Sequence, residues 1–401
     1  MFLQEKEQRT KNITFDLLIF AVWIYFCLIV ACSYSVQVKP PDNNGFWTSG
    51  YKILLGGDFS YGDTYKEGGK INDKYGYDYP FIKVASFLNS VDYSIINLET
   101  PVTSVDIEPY LNLKRWVHRG DSIVYPRYMK KYRINAVSLA NNHVMDCGAE
   151  GLLETLKILD SNDILYVGAG LNADKAATPL IQNIIIGERH IKLAIFAAYE
   201  DRHQVNRSDF PSNFASSLRP GINLLAPEKI AVLIKEFKNN NQDGFIVVFP
   251  HWGSNYAWKS QNQTDLAEKL IDAGADIIIG HGAHMMQEIE KYKDKWIIYS
   301  LGNFVFNSPG RYQDKGVWPY SAISIMRFSL ENNKMNVSFR LYPTFTDNLL
   351  TNYQTHPVNE KDFNKLIEIL TNKKAVSANP FSNLIKGKDE FGFYLEGIVL
   401  P

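Results

Sequence analysis

Cysteine is scarce in this sequence, and the few thiols cannot build a disulfide framework. Cys27 and Cys32 lie in or beside an N-terminal apolar run, which leaves Cys147 alone in the rest of the chain. One thiol can form neither an internal disulfide nor a cysteine-type structural zinc site. Both are therefore excluded for the globular part of the protein.

An excess of charge of one sign is also absent. The formal net charge is −1, with 42 Lys and Arg residues against 43 Asp and Glu residues. Nucleic-acid-binding domains usually carry a basic field, so no nucleic-acid partner is expected. A polyanionic partner would have to be bound by local cations or by a metal.

One long apolar run, residues 17–32, follows the basic residues Lys6, Arg9 and Lys11. It is shorter than the roughly 20 residues of a spanning helix and longer than the about 7–15 of a signal-peptide core. Basic residues keep the preceding end in the cytoplasm, which predicts a cell-membrane protein with an extracytoplasmic globular domain. We expect an uncleaved signal anchor. Lipidation of Cys32 and a buried core helix are the alternatives.

The chain divides by composition into four segments. Residues 1–36 form the cytoplasmic tail and anchor, 37–50 a linker rich in Pro, Asn and Gly, 51–345 the main domain, and 346–401 a C-terminal extension. Within the main domain, short apolar runs alternate with segments of helical spacing, and a hairpin pattern with a Glu-Asn-Asn-Lys turn follows. Continuous apolar runs fit strands that are buried on both faces, so an α/β fold is predicted.

Most of these apolar runs end in polar side chains that can bind a metal. The runs are KILLGGD with Asp58, YSIINLE with Glu99, INAVSLANNH with Asn142 and His143, GFIVVFPHWG with His251, ADIIIGHGAH with His281 and His284, and WIIYSLGN with Asn303. Taken singly, an Asp in such a place can be a helix cap, and a His a structural residue. Ligands of α/β sheets bind at the carboxyl ends of the strands, so we expect the set to converge.

Carboxylates, an amide oxygen and imidazoles suit Mn²⁺, Zn²⁺ or Fe²⁺, as one ion or as two bridged by a carboxylate. His143 is the candidate general acid, because its neighbour Asn142 can bind the metal while the ring faces the substrate. Asp146 would fix the tautomer of that ring.

A local basic cluster lies upstream of these residues. It consists of Lys114, Arg115, His118 and Arg119. A charged cluster of this kind could bind an anionic polymer, but a solvated surface is the expected interpretation.

The motifs resemble the CapA/PgsA family of capsule (poly-γ-glutamate) biosynthesis proteins. GGD, NLETPV, SLANNHVMDCGAEG, HWG, GADIIIGH and YSLGNFVF occur in order over about residues 50–345. The resemblance implies a four-layer α/β/β/α sandwich of the metallophosphatase (calcineurin-like) type and, commonly, an N-terminal anchor. It also implies metal ligands at Asp58, Glu99, Asn142, His251, His281 and His284, with His143 as the acid.

The sequence departs from the pattern at three places. Ser60 stands where general metallophosphatases have a His, which predicts one metal position with fewer ligands. Tyr256 and its two predecessors replace a Glu that the family tends to carry, and Gly282-Ala283 replaces a His and a Pro. His281 and His284 remain, so metal binding is expected. The identity of the substrate cannot be transferred from the family to this chain.

These features predict a metal-dependent hydrolase or transferase that acts outside the membrane on an anionic envelope polymer or its precursor. The bond would be a phosphoester or an amide. A non-catalytic polymer-binding scaffold of a membrane export complex is the first alternative, and a secreted metallophosphatase unrelated to capsule is the second. Expected partners are the polymer, the membrane and other capsule synthesis or export proteins.

Overall fold

A computed structural model describes residues 47, 49–63, 66–107, 109–110, 113–201, 213–372 and 383–400. The predicted anchor at 1–36 and most of the linker at 37–50 lie outside these residues. Among the helices that are described, none is both long and apolar enough to cross a membrane.

The chain alternates strands and helices through most of its length. The strands are β1 (Tyr51–Ser60), β2 (Tyr93–Leu98), β3 (Ala136–Ser138), β4 (Leu165–Val167), β5 (Ala169–Gly170), β6 (Leu180–Ile186), β7 (Arg189–Tyr199), β8 (Gly221–Ile222), β9 (Phe245–His251), β10 (Ile277–Ile279), β11 (Ile289–Tyr292), β12 (Lys295–Ile298), β13 (Asn303–Phe306), β14 (Tyr320–Glu331), β15 (Lys334–Phe345), β16 (His356–Pro357), β17 (Ile385–Asp389) and β18 (Gly392–Leu400). The α-helices are α1 (Lys66–Tyr75), α2 (Ala85–Asn89), α3 (Val124–Lys131), α4 (Gly148–Ser161), α5 (Ala173–Ala177), α6 (Pro227–Asn240), α7 (Gln261–Asp272), α8 (Tyr312–Lys315), α9 (Asn348–Thr351) and α10 (Glu360–Asn372).

The larger sheet has the order β17-β18-β15-β14-β1-β2-β3-β4, with β13 beside β1 and β16 beside β15. Its strands β1 to β4 are parallel, and β2 and β3 are buried along their whole length, as expected for apolar runs covered on both faces. The predicted hairpin is present as β14 and β15. Asn332 and Asn333 form its turn with positive φ angles, which Asn tolerates better than most residues.

The second sheet has the order β11-β12-β10-β9-β7-β6, and its strands β7, β9, β10 and β12 are parallel. Aromatic pairs join it to the larger sheet, with ring centroids 5.2 Å apart for Phe245 and Phe328 and 5.6 Å apart for Trp296 and Phe339. Helices α2 to α4 share a core with the larger sheet, and α6 and α7 share another with the second sheet. The predicted α/β class is confirmed, whereas the four-layer order stays a prediction.

The C-terminal extension supplies strands to the larger sheet. β18 pairs antiparallel with β15, and β17 pairs with β18. Arg340 of β15 is 2% exposed and donates to Glu396 from Nε (2.9 Å) and to Asp389 from Nη1 (2.9 Å). The predicted division near residue 345 therefore coincides with the end of a strand, while residues on both sides of it belong to one sheet.

The parallel strands bring their carboxyl ends to one region. β1 lies between β13 and β2, and in the second sheet an isolated bridge joins His251 to His281. Gly57 is required for the close approach of β1 to Gly302, because a Cβ at position 57 would lie 1.8 Å from the Gly302 carbonyl oxygen. The next residue, Asp58, donates its main-chain N–H to that same oxygen at 2.9 Å.

Candidate metal centre

Asp58 lies at the middle of the centre, and its two oxygens face different histidines. Oδ1 lies 3.3 Å from Nδ1 of His281, and Oδ2 lies 3.3 Å from Nδ1 of His284. The side chain of Asn97 donates to Oδ1 at 3.0 Å, and the main-chain N–H of Gly282 donates to Oδ2 at 3.2 Å. The carboxylate is therefore held rigidly between the two sheets.

Two groups of potential metal ligands share this carboxylate. One consists of Asp58, His251 and His281, and the other of Asp58, Glu99 and His284. Within each group the ligand atoms lie within 4.8 Å of one another, and every member is buried. A carboxylate shared in this way is the arrangement found where two metal ions are bridged.

The protonation of the centre fits cation binding. Burial alone would raise the pKa of Asp58, but hydrogen bonds from His281 and His284 and the charges of His284 and His251 outweigh it and hold that pKa well below its usual range. Burial likewise would lower the pKa of His284, yet Glu99 and Asp58 raise it to about 9. Both shifts arise from the close approach of carboxylates and imidazoles, the kind of donor set that a divalent cation binds by displacing a ring proton.

Glu99 follows β2 and lies among three imidazoles. Its Oε1 is 3.8 Å from Nε2 of His251, 3.9 Å from Nε2 of His284 and 4.0 Å from Nε2 of His143. These separations exceed hydrogen-bond length, and Glu99 and His284 belong to one of the two ligand groups.

Asn142 has a side-chain oxygen that fits a metal ligand. Its Oδ1 atom is buried and accepts no hydrogen bond from the residues that the structure describes. A buried oxygen without a partner costs about 1–3 kcal/mol, and a metal ion would remove that cost. The orphaned oxygen and the mixed N/O donor set both fit a divalent cation.

His143 and Asp146 form a hydrogen-bonded pair beside these candidate ligands. Nδ1 of His143 lies 2.7 Å from Oδ2 of the fully buried Asp146. Burial raises the pKa of Asp146, and the positive charge of Lys114 offsets only part of that rise. Because Nδ1 is engaged by Asp146, the other ring nitrogen of His143 faces Glu99.

The structure places two further amide side chains at the centre, Asn97 and Asn303, neither of which the sequence assigned as a metal ligand. Asn97 binds Asp58, and its Oδ1 accepts from Nδ2 of Asn141 at 3.0 Å. Asn303 lies with its Oδ1 2.9 Å from Nδ1 of His284, which turns Nε2 of that ring towards Glu99. The polar end of the run WIIYSLGN pointed to Asn303, whereas nothing in the run YSIINLE distinguishes Asn97.

The expectation of a solvated basic cluster is wrong for two of its residues. The Lys114 side chain is 15% exposed, forms an ion pair with Asp146 and donates to the Asn142 carbonyl oxygen at 2.6 Å. His118 is buried against His143 with ring centroids 4.0 Å apart, and burial followed by the charge of His143 lowers its pKa well below the usual value. Lys114 and His118 lie in a loop outside the motifs, so the sequence pattern could not predict either contact.

The departures from the family pattern occupy defined places. Ser60 is buried, and its Oγ accepts from the main-chain N–H of Gly62 at 3.2 Å. Tyr256 is buried with its ring centroid 5.5 Å from that of His284, and the guanidinium of Arg311 lies 5.1 Å from the Tyr256 ring centroid. An aromatic and a cation therefore border the centre beside His284.

Comparisons with solved structures return distant similarities. A phosphatase from Mycoplasma pneumoniae aligns with a TM-score of 0.35 and 10% identity, over 77% of this chain and 91% of its own. GAP50, the anchor in the inner membrane complex of Plasmodium, aligns with a TM-score of 0.36 and 15% identity, over 77% and 88%.

Sequence comparisons are closer. Residues 52–308 match the family described as bacterial capsule synthesis protein PGA_cap. The capsule biosynthesis protein CapA of Bacillus anthracis is 33% identical over 73% of this chain and 66% of its own length, slightly less than two thirds. The PGA biosynthesis protein CapA of Bacillus subtilis is 28% identical over 76% of this chain and 74% of its own. Since the family match covers more than half of the sequence, the chain belongs to the bacterial capsule synthesis protein family PGA_cap.

Proposed function

We propose that this protein serves capsular polymer synthesis and that its centre is a metal-dependent hydrolase or transferase site. Family membership and the names of its relatives, which refer to capsule and to PGA biosynthesis, support the first part. The observation that carries the second part is the shared position of Asp58 in two buried ligand groups, with Nε2 of His143 4.0 Å from Glu99.

The ligand assignment follows from the two groups. Asp58, His251 and His281 would hold one ion, and Asp58, Glu99 and His284 a second, with the orphaned Asn142 oxygen as a further ligand. Mn²⁺, Zn²⁺ and Fe²⁺ suit this donor set. The chemistry that such ions supply is an activated water and a polarised phosphoryl or acyl oxygen.

His143 would deliver a proton to the leaving group. Asp146 binds its Nδ1, so the proton available for transfer sits on Nε2, on the side of the metal ligands. Asp58, Glu99, His251 and His281 are 0% exposed, whereas His143 is 7% and His284 5% exposed. The proposed acid is therefore the most exposed of these side chains, which supports its assignment as the group that meets the substrate.

The wider setting is proposed on sequence grounds. The domain would be extracytoplasmic and tethered at the cell membrane by residues 17–32, as a signal anchor or through lipidated Cys32. Its partners would be an anionic envelope polymer or precursor and other capsule synthesis or export proteins. The four-layer metallophosphatase sandwich belongs to the same proposal.

A His143→Gln substitution tests the catalytic role. The substituted full-length protein should bind the same amount of Mn²⁺ or Zn²⁺ as wild type, by elemental analysis, and should lose hydrolysis of phosphoester probes. Wild-type protein that binds neither ion and cleaves no probe would contradict the metal-dependent reaction. Normal capsular polymer production by cells carrying His143→Gln would instead support the non-catalytic scaffold.

A further inference from the structure

The segment of residues 113–120 connects the two loops that carry the proposed catalytic groups. At its end, Gly120 donates its main-chain N–H to the Pro101 carbonyl oxygen at 2.8 Å and accepts from the main-chain N–H of Thr103 at 3.1 Å. Pro101 and Thr103 belong to the loop that begins at Glu99. Nearer its start, the segment contacts the loop of residues 141–147 through Lys114 and His118.

Lys114 reaches two acceptors of that second loop at once. Its Nζ donates to the Asn142 carbonyl oxygen at 2.6 Å and pairs with Oδ1 of Asp146. Asp146 is fully buried, and a buried carboxylate requires a compensating cation or several hydrogen bonds. No other Lys or Arg in the described part of the chain forms an ion pair with Asp146.

The second oxygen of Asp146 is left for the catalytic ring. Oδ2 accepts from the main-chain N–H of His118 at 2.7 Å and lies 2.7 Å from Nδ1 of His143. The ring of His118 packs against the ring of His143 at an interplanar angle of 57°. Lys114 on Oδ1 and His118 on Oδ2 thus fix the rotation of the carboxylate, and the carboxylate fixes the imidazole.

We propose that Lys114 is a positioning residue that holds Asp146, and through it His143, in the orientation needed for proton transfer to the leaving group. This inference rests on the proposed function, in which His143 is the general acid. Lys114 meets the proposed ligand Asn142 at its main-chain carbonyl oxygen and not at the side-chain oxygen that would bind the metal. Its effect should therefore appear in proton transfer and not in metal binding.

Two phosphoester probes separate proton transfer from general damage. 4-Nitrophenyl phosphate has a good leaving group that hardly needs a proton, whereas phenyl phosphate needs one. With Mn²⁺-loaded full-length protein, Lys114→Met should lower kcat for phenyl phosphate by about 100-fold and kcat for 4-nitrophenyl phosphate by less than about 10-fold, with KM and metal content unchanged. Lys114→Arg should recover part of the loss. An equal loss on both probes would overturn the proposal.

Arg115→Met is the matched control, because it removes the adjacent cation, whose guanidinium lies over the ring of exposed Trp116 with a centroid distance of 5.0 Å. It should leave both rates unchanged. Lys114→Gln, which keeps a donor but loses the charge, serves if Lys114→Met does not fold, and the same selective loss is expected from it.

A second measurement does not depend on turnover. In the general acid both ring nitrogens of His143 carry a proton, and loss of the Nε2 proton leaves the neutral Nδ1–H form. In ¹⁵N-histidine NMR spectra of Zn²⁺-loaded protein at a pH where the ring is neutral, His143, identified by its absence in His143→Gln, should therefore be a single Nδ1–H tautomer in wild type and in Arg115→Met. Lys114→Met should show a tautomer mixture, and retention of the single tautomer would overturn the positioning role. If wild type cleaves neither probe, the proposed function fails, while the tautomer result still decides the role of Lys114.

Discussion

The Nδ1 atoms of His251 and His281 lie 3.1 Å apart, and both rings face Oδ1 of Asp58. Two imidazole nitrogens at this distance share one proton, since one must donate and the other accept. The pair is fully buried, so no solvent reorganises around it. A metal ion between these rings and Asp58 would accept lone pairs from both, and this predicts how the centre responds to substitution.

Asp58→Asn should abolish metal binding at both ligand groups, because the carboxylate is common to them. His284→Gln should remove only the group that contains Glu99 and should leave about half of the bound metal. Elemental analysis after equilibrium dialysis measures both. Asp92→Asn is the control and should bind metal as wild type does, because Asp92 is an exposed acid that accepts from the main-chain N–H of Lys52. A full metal complement in Asp58→Asn would show that the carboxylate is not shared.

Metal affinity should rise with pH. Burial lowers the pKa of His284, but Glu99 and Asp58 outweigh burial and raise that pKa to about 9. The ring is therefore protonated at neutral pH. A metal must displace that proton, and affinity should therefore increase by up to about tenfold per pH unit until pH reaches about 9. Proton release on addition of Zn²⁺ to weakly buffered protein at pH 7.5 measures the displacement. His284→Gln should reduce the release by about one proton, and equal release from both proteins would contradict the assignment.

The sequence predicted that these residues converge, because they lie at the ends of buried, parallel strands or just after them, and such strands end together. Asp58, Glu99 and His251 are brought together in this way. Their role as metal ligands stays a prediction. Asn97 could not be found, because it lies inside an apolar run and its role depends on which strand lies opposite. Lys114 could not be found either, since its contact with Asp146 depends on the path of a loop that no periodicity describes.

The C-terminal extension illustrates the same limit for the fold. Its helix α10 (Glu360–Asn372) depends on local apolar spacing. The pairing of β18 with β15 spans many residues and depends on partners that are remote in sequence. The ion pairs of Arg340 in β15 with Asp389 in β17 and Glu396 in β18 join these remote segments.

Arg340→Met should destabilise the protein by about 3–5 kcal/mol, because it leaves the buried Glu396 and the half-buried Asp389 without their cation. Urea unfolding should show a lower midpoint with a similar slope. Lys334→Met removes an exposed cation from the same strand and should leave the midpoint nearly unchanged. If both variants unfold at the wild-type midpoint, the ion pairs of Arg340 do not stabilise the pairing of β17 and β18 with the sheet.

Gly57→Ala should destabilise the protein by about 3 kcal/mol and weaken metal binding together. The added Cβ would lie 1.8 Å from the Gly302 carbonyl oxygen, so β1 and the segment leading into β13 must separate, and Asp58 follows immediately in the chain. Gly69→Ala is the control, since a Cβ in helix α1 would meet its nearest described atom at an ordinary 3.4 Å and Ala favours helices. Calorimetry and a Zn²⁺ titration of both variants provide the comparison. Wild-type metal affinity in a destabilised Gly57→Ala protein would show that the position of Asp58 does not depend on this close approach of the two strands.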